Sequence, residues 1–311
     1  TNYIENIDGV VTQSFIDKSL NSAVDSKKDL KDELVMTSPV SFSLDEKTVL
    51  DPVGMTGNKL YSKAVASTMA KKNLYPYFNV FNTLNIDVLD ICYSLVGDFE
   101  ANQAKNNKLE HGVVINIEED IVNIGIFNKG ILIKTDYLKI GSNAIDKDIK
   151  YIYNLKEEDI KYLKENFASL SSIANYKYDT IELNTSNGNL IKINESDVVK
   201  LITSRVINIL DLAKNKFKTL TNKEINYIIV TGELTELSGC SQVVEKVLGP
   251  KSKIGNIKLI GARNNIYSSV IGSIYCLENK YKNIGMLNSL EIEKINSKEY
   301  EWSRRKKCLM N

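Results

Sequence analysis

The sequence predicts a mixed protein in which a small α+β unit precedes a larger unit of α/β character, and three observations predict it. Within residues 12–84, a helical pattern and two strand-like runs surround a turn rich in proline and glycine. Over 111–140, three strand-like runs follow one another with short loops between them, which is a meander and not a dinucleotide fold. A long amphipathic helix at 195–218 then leads to a buried strand, YIIVTG, at 227–232.

In the first unit, Thr12 precedes Phe15, Ile16, Leu20 and Val24 at helical spacing and is the expected N-cap. Residues 25–33 are charged and break the pattern. The stretch 34–44 reads as a strand with Pro39 as its weak point, because proline donates nothing to a ladder. DPVGMTG at 51–57 holds one proline and two glycines and demands a defined turn. A strand at 58–68 and a helix at 70–84 carrying Leu74, Phe78 and Phe81 complete the unit. Residues 85–105 begin with Ile86, Val88, Leu89 and Ile91, run into a helix toward Ala104, and read as a connector.

The second unit opens with HGVVINI (111–117), IVNIGIF (121–127) and GILIKTDYLKI (130–140). Helices at about 142–153 and 156–168 follow, then short strands near 179–184 and 189–193 joined by TSNGN. The helix at 195–218 places Val198, Val199, Ile202, Val206, Ile209, Leu210, Ala213 and Phe217 on one face. SQVVEKVLG (241–249) reads as a helix closed by Gly249, and 266–277 as a last helix. Beyond about 282 the chain turns polar and patternless, a linker by composition.

Composition limits the function. The chain has 311 residues, 43% apolar and 25% charged, with a formal net charge of +1, so no global basic field points to nucleic acid. Cys92, Cys240, Cys276 and Cys308 are scattered without metal-ligand spacing, and His111 is the single histidine, which suits a reducing cytoplasmic setting and no metal site. The N-terminal residues lack a signal-peptide profile, and no run of about 18 to 20 apolar residues exists to span a bilayer, so membrane contact is expected to be peripheral.

Six stretches in order resemble the FtsA family of actin-like bacterial cell-division proteins. VVTQSFIDKSL (10–20) is similar to the start of that family's inserted SHS2-type subdomain, and DPVGMTG to its NPxGMxG turn. IGSNAIDKDI (140–149) resembles GGNxxTxDI, and the likeness continues in IIVTGELTELSG (228–239), IGNIKLIG (254–261) and NIYSSVIGSIYCLEN (265–279). The resemblance implies an actin-like (ribonuclease H-like) domain preceded by an SHS2-type α+β subdomain at 1–84. It further implies a connector and remnant of the first actin-like domain at 85–110, and a second actin-like domain at 111–282 with a 2B-like insertion at about 155–222. A linker at 283–299 and a tail at 300–311 complete this division. The family has a further strand-hairpin unit, bearing its first phosphate loop, that has no counterpart after Thr1. Its absence would leave a sheet edge open near 85–105, so self-association is expected.

The resemblance also locates the nucleotide elements, and each has changed. The family's second phosphate loop reads DxGGGTTD, whose glycines let backbone N–H groups approach the anion. Here the same place reads Asn116, Ile117, Glu118, Glu119, Asp120, Ile121, Val122, Asn123. A like charge about 4 Å from a phosphate costs on the order of 4 kcal/mol at an effective dielectric of 20. An acidic hairpin tip is ordinarily just a solvated turn, and either reading denies phosphate; a cation site lacks a second acidic cluster to complete its shell. Thr231 and Gly232 persist from the family's TGGGA turn, but Glu233 and Leu234 replace its small residues, and Lys161 stands where the family has a ribose-binding glutamate. No ATP or Mg²⁺ is therefore expected as cofactor, and no enzymatic activity.

The family reaches the membrane through an amphipathic C-terminal helix, and this chain ends EYEWSRRKKCLMN. Trp302, Leu309 and Met310 suit the headgroup region, while Arg304, Arg305, Lys306 and Lys307 suit anionic lipid at roughly 1 kcal/mol each. A basic tail of this length is otherwise a solvated segment. The resemblance thus implies an adaptor that binds the FtsZ C-terminal tail, copies of itself and an anionic membrane surface, on the cytoplasmic face at the division site. Its rivals are a working actin-fold ATPase of division or of pilus assembly, as in the PilM group, and a degenerate regulatory relative.

Overall fold

The computed structural model describes residues 2–5, 9–25, 31–49, 51–103, 105–167, 169–170 and 180–282. The expected linker (283–299) and basic tail (300–311) lie outside the described residues.

The first unit is an antiparallel sheet with one helix against it. It comprises β1 (Asn2–Glu5), α1 (Gln13–Asp25), β2 (Asp32–Leu44), β3 (Lys47–Val49), β4 (Lys59–Ala70) and α2 (Lys71–Thr83), in the sheet order β1-β4-β2-β3. Thr12 caps α1 as expected, its hydroxyl accepting from Phe15 N–H at 3.3 Å. Ile16 then packs with Val11, Phe42, Leu44 and Leu60 in a small core. Pro39 is tolerated because β3 pairs with β2 only at Phe42–Leu44, and because the register slips between Pro39 and Ser41. β1 is a strand that sequence reading did not find.

The DPVGMTG turn is an assembly device. Asp51 Oδ1 accepts from Val53 N–H at 3.0 Å, and Gly54 adopts φ +78°. Met55 O accepts from Val11 N–H, and Val11 O from Gly54 N–H, each at 2.8 Å, which fastens the turn to the entry of α1.

The second unit is a five-stranded sheet of order β11-β10-β5-β6-β7 with helices on both faces. Its strands are β5 (His111–Ile117), β6 (Val122–Asn128), β7 (Ile131–Leu138), β10 (Tyr227–Thr231) and β11 (Ser252–Ile254). β5, β6 and β7 form the expected meander, while β10 pairs in parallel with both β5 and β11. β11, three residues long, is too short to carry a periodic signal.

Alternation along β5 divides the core. Val113, Ile115 and Ile117 face α4 (Asn143–Tyr153), α6 (Glu195–Leu220) and α7 (Cys240–Leu248). Val114 joins Phe127, Tyr227 and Ile229 on the opposite face, against α3 (Ser94–Asn102), where Phe99 stacks on Phe127 with centroids 4.6 Å apart. All eight apolar residues expected on the long helix are buried on α6. Gly249, at φ +99°, closes α7 as expected.

Two expectations change in detail. The connector at 85–105 contributes no strand among its described residues; α3 within it is built into the core, with Leu95, Val96 and Phe99 buried. The helix at 156–168 is shorter, with α5 (Glu157–Tyr162) passing into a π turn at Leu163–Phe167. The stretch 155–222, which includes the hairpin β8 (Thr180–Asn184) and β9 (Leu190–Asn194), shares one core with the sheet through Leu155, Ile160, Leu163 and Ile193.

The last helix, α8 (Ser268–Lys282), lies across α3. The crossing is at Gly97 and Gly272, whose backbones touch: a Cβ on Gly272 would overlap the Gly97 carbonyl, and one on Gly97 the Ser269 carbonyl. The two units meet here too, where Tyr93 Oη donates to Thr68 O at 2.9 Å and Met36 packs on the α3 cluster.

Candidate functional site

Because β5 and β10 run parallel, their carboxyl ends lie side by side, with Asn116 paired to Thr231. In open α/β sheets this is the edge at which ligands gather. Three loops converge there: the β5–β6 hairpin tip (118–121), the segment entering α4 (139–142), and the turn Glu233–Glu236 that follows β10.

These loops are bonded to one another. Glu118 N–H donates to Ile121 O at 2.9 Å, closing the hairpin, while Glu118 O and Glu119 O accept from Ser142 N–H and Asn143 N–H, each at 2.9 Å. Gly141 is required, since a Cβ there would overlap both carbonyls. Gly232 is required as well: at φ +92° it packs on Ile117 O, and a Cβ would stand 2.6 Å from Asn116 Oδ1. Across the edge, Ser142 Oγ donates to Glu233 Oε2 at 2.6 Å. Asn143 Nδ2 donates to Asp120 Oδ1 and Asn123 Nδ2 to Glu118 Oε1, both at 3.2 Å.

Asn116, Glu118, Glu119, Asp120, Asn123, Thr231, Gly232 and Glu233 thus come together as the sequence placed them. Lys161 is apart from these contacts; it is largely exposed on α5 and pairs with Glu165 at 3.9 Å. Three backbone N–H groups, that of Glu118 at the tip and those of Ser142 and Asn143 at the α4 entry, are already taken by protein carbonyls. The side-chain atoms added there are carboxylates, which accept hydrogen bonds and repel anions. Among the described residues, no group of three or more His, Cys, Asp or Glu is placed to hold a metal ion.

Beneath the loops lies a buried polar network that sequence reading missed. Asn116 Nδ2 donates to Asp98 Oδ2 at 2.8 Å, and Asn102 Nδ2 to Ser268 Oγ at 2.7 Å. Asn102 Oδ1 accepts from Asn256 N–H at 2.7 Å, and Asn265 Nδ2 donates to Thr235 Oγ1 at 3.1 Å. Burial raises the Asp98 carboxyl to about 6, against the lowering effect of Ser268, Asn116 and Thr231 beside it. The signal was an Asp and an Asn four residues apart on the helix that carries Leu95, Val96 and Phe99, a spacing that places both on one face.

The scaffold motifs also explain themselves here. Asp148 takes a bidentate pair from Arg205, at 2.6 Å and 2.8 Å, joining α4 to α6, and Ile149 beside it is fully buried.

A family model for the cell division protein FtsA matches residues 102–272, and one for the SHS2 domain inserted in FtsA matches residues 2–68. The chain belongs to the FtsA family. Among its relatives, FtsA of Bacillus subtilis is 21% identical over 244 residues, 78% of this chain and 56% of that protein. FtsA of Staphylococcus epidermidis strain RP62A is 22% identical over 274 residues, 86% of this chain and 58% of that protein. The chain therefore spans less than three fifths of the length of these FtsA proteins. The fold is actin-like: MreB5 of Spiroplasma citri bound to ADP superposes with a TM-score of 0.57 over 70% of this chain and 68% of that one, at 16% identity. No described helix of this chain is long and apolar enough to cross a membrane.

Proposed function

We propose that this FtsA-family chain is a division adaptor that works without nucleotide. It joins the FtsZ C-terminal tail to the inner face of the membrane through 300–311, and its copies associate. The reading is supported chiefly by the Ser142–Glu233 bond, which ties the α4 entry to the β10 turn with a carboxylate. MreB5 binds ADP and AMPPNP on the same kind of scaffold. Here Glu118, Glu119, Asp120 and Glu233 present acceptors where a polyphosphate needs donors, so the residues do not suit ATP–Mg²⁺ and no hydrolytic step follows from them. The elements that persist, DPVGMTG, Gly141, Asp148 and Ile149, all have scaffold contacts. The exposed Tyr77, Val80 and Phe81 of α2 favour self-association through the first unit.

Sedimentation with anionic vesicles tests the adaptor. The vesicles are expected to pellet a fluorescent FtsZ C-terminal peptide only when the full chain is present. A chain ending at 296 should bind the peptide in solution and leave it in the supernatant. In the same runs, the full chain without vesicles should sediment faster than a monomer at high concentration. Peptide bound by neither form, or pelleted equally by both, contradicts the proposal.

A further inference from the structure

The α3–α8 crossing carries a feature outside the loops and their function. Cys92 lies two residues ahead of α3, and Cys276 lies one turn along α8 from Gly272. Both side chains pack against the same cluster of Leu95, Val96 and Phe99. Both are free and only partly buried, and because α3 and α8 run antiparallel, with Asn102 against Ser268 and Gly97 against Gly272, Cys92 and Cys276 come to the same end of the crossing. Glycine at both crossing positions holds the two backbones at contact distance, which fixes this juxtaposition.

We propose that Cys92 and Cys276 form a reversible intramolecular disulfide that clamps α3 to α8, making this crossing an oxidant-sensitive site of the chain. Cys92 is the more acidic partner: the neighbouring Cys276 thiol lowers it most and the Ser273 hydroxyl adds to this, while burial and the charges of Asp90 and Glu100 oppose ionisation. Cys276 beside it is pushed the other way. Cys92 is thus the attacking sulfur and Cys276 the resolving one. With a peroxide as oxidant, the Cys92 thiolate attacks one peroxide oxygen, the O–O bond breaks, and a sulfenic acid and hydroxide form. Cys276 sulfur then attacks the sulfenic sulfur, the S–O bond breaks, and water leaves with the Cys276 proton. The two sulfurs lose two electrons and the peroxide gains them; a dithiol reductant reverses the change. Cys240 is buried and its thiol is pushed up to about 12, so it stands outside this chemistry.

The test treats the full folded chain with hydrogen peroxide, blocks remaining thiols, and maps peptides by mass spectrometry without reduction. A Cys92–Cys276 linked peptide is expected, lost on dithiothreitol treatment, with alkylation of Cys92 in the reduced chain at least about tenfold faster than of Cys240. Cys92→Ser and Cys276→Ser should each abolish the link, and Cys240→Ser should leave it in place. Because the mapping is done on the unsubstituted chain, its outcome does not depend on how the variants fold. Linkage through Cys240 or Cys308 instead, or over-oxidation of Cys92 with Cys276 still free, would overturn the proposal.

Discussion

Replacing Gly272 by alanine is expected to cost about 3 kcal/mol of folding stability, although alanine is the better helix former by about 1 kcal/mol. The sign is decided at the α3–α8 crossing, where the added methyl group would meet the carbonyl oxygen, the carbonyl carbon and the Cα of Gly97. Those are backbone atoms and cannot rotate aside, so the helices must separate. Separation would loosen Phe99 from Phe127 and Asn102 from Ser268. Gly97→Ala should behave likewise, since its methyl would meet Ser269 O and stand 3.0 Å from Ser273 Oγ. The double variant should cost less than the sum, because one separation relieves both overlaps. Urea midpoints measure this, and a Gly272→Ala chain as stable as the parent would mean that the helices do not cross in contact.

The second large effect is on pH dependence, through Asp98. Its carboxyl sits at about 6 when folded, above its ordinary 3.8, because burial disfavours the charge. Between those values the folded chain holds a proton that the unfolded chain has lost. Stability from this group is therefore fully present below about pH 4, falls as pH rises through the window, and levels off above about pH 6. A shift of about two units corresponds to about 3 kcal/mol. Asp98→Asn keeps an acceptor for Asn116 and removes the titration. Its stability relative to the parent should rise by that amount from pH 4 to pH 7, as read from denaturant unfolding at the two values. Parallel pH profiles for parent and variant would show that Asp98 is not buried as a charge.

Most of the fold was legible where one residue type answers one local demand. DPVGMTG announced a turn because Gly54 needs a positive φ, and α6 announced itself by a single apolar face of eight residues. The meander was legible because β5, β6 and β7 pair with their neighbours in sequence. Long-range contacts were not legible. α3 read as part of a connector because what buries Asp98 and Asn102, their partners Asn116 and Ser268, lies on other elements, Ser268 far along the chain. β11 is held only by its parallel pairing to β10. At the site, the acidic tip was evident in the sequence, but the Ser142–Glu233 bond, formed across 91 residues, was not.

On the proposed function, the FtsA-family scaffold persists here around an edge that does not accept nucleotide. Titrating the full chain with a fluorescent ATP analogue and Mg²⁺ tests it most directly. Carboxylates facing the phosphates at on the order of 4 kcal/mol each before screening should leave no saturable binding up to millimolar ligand. Binding in the micromolar range that disappears when Mg²⁺ is chelated would contradict it.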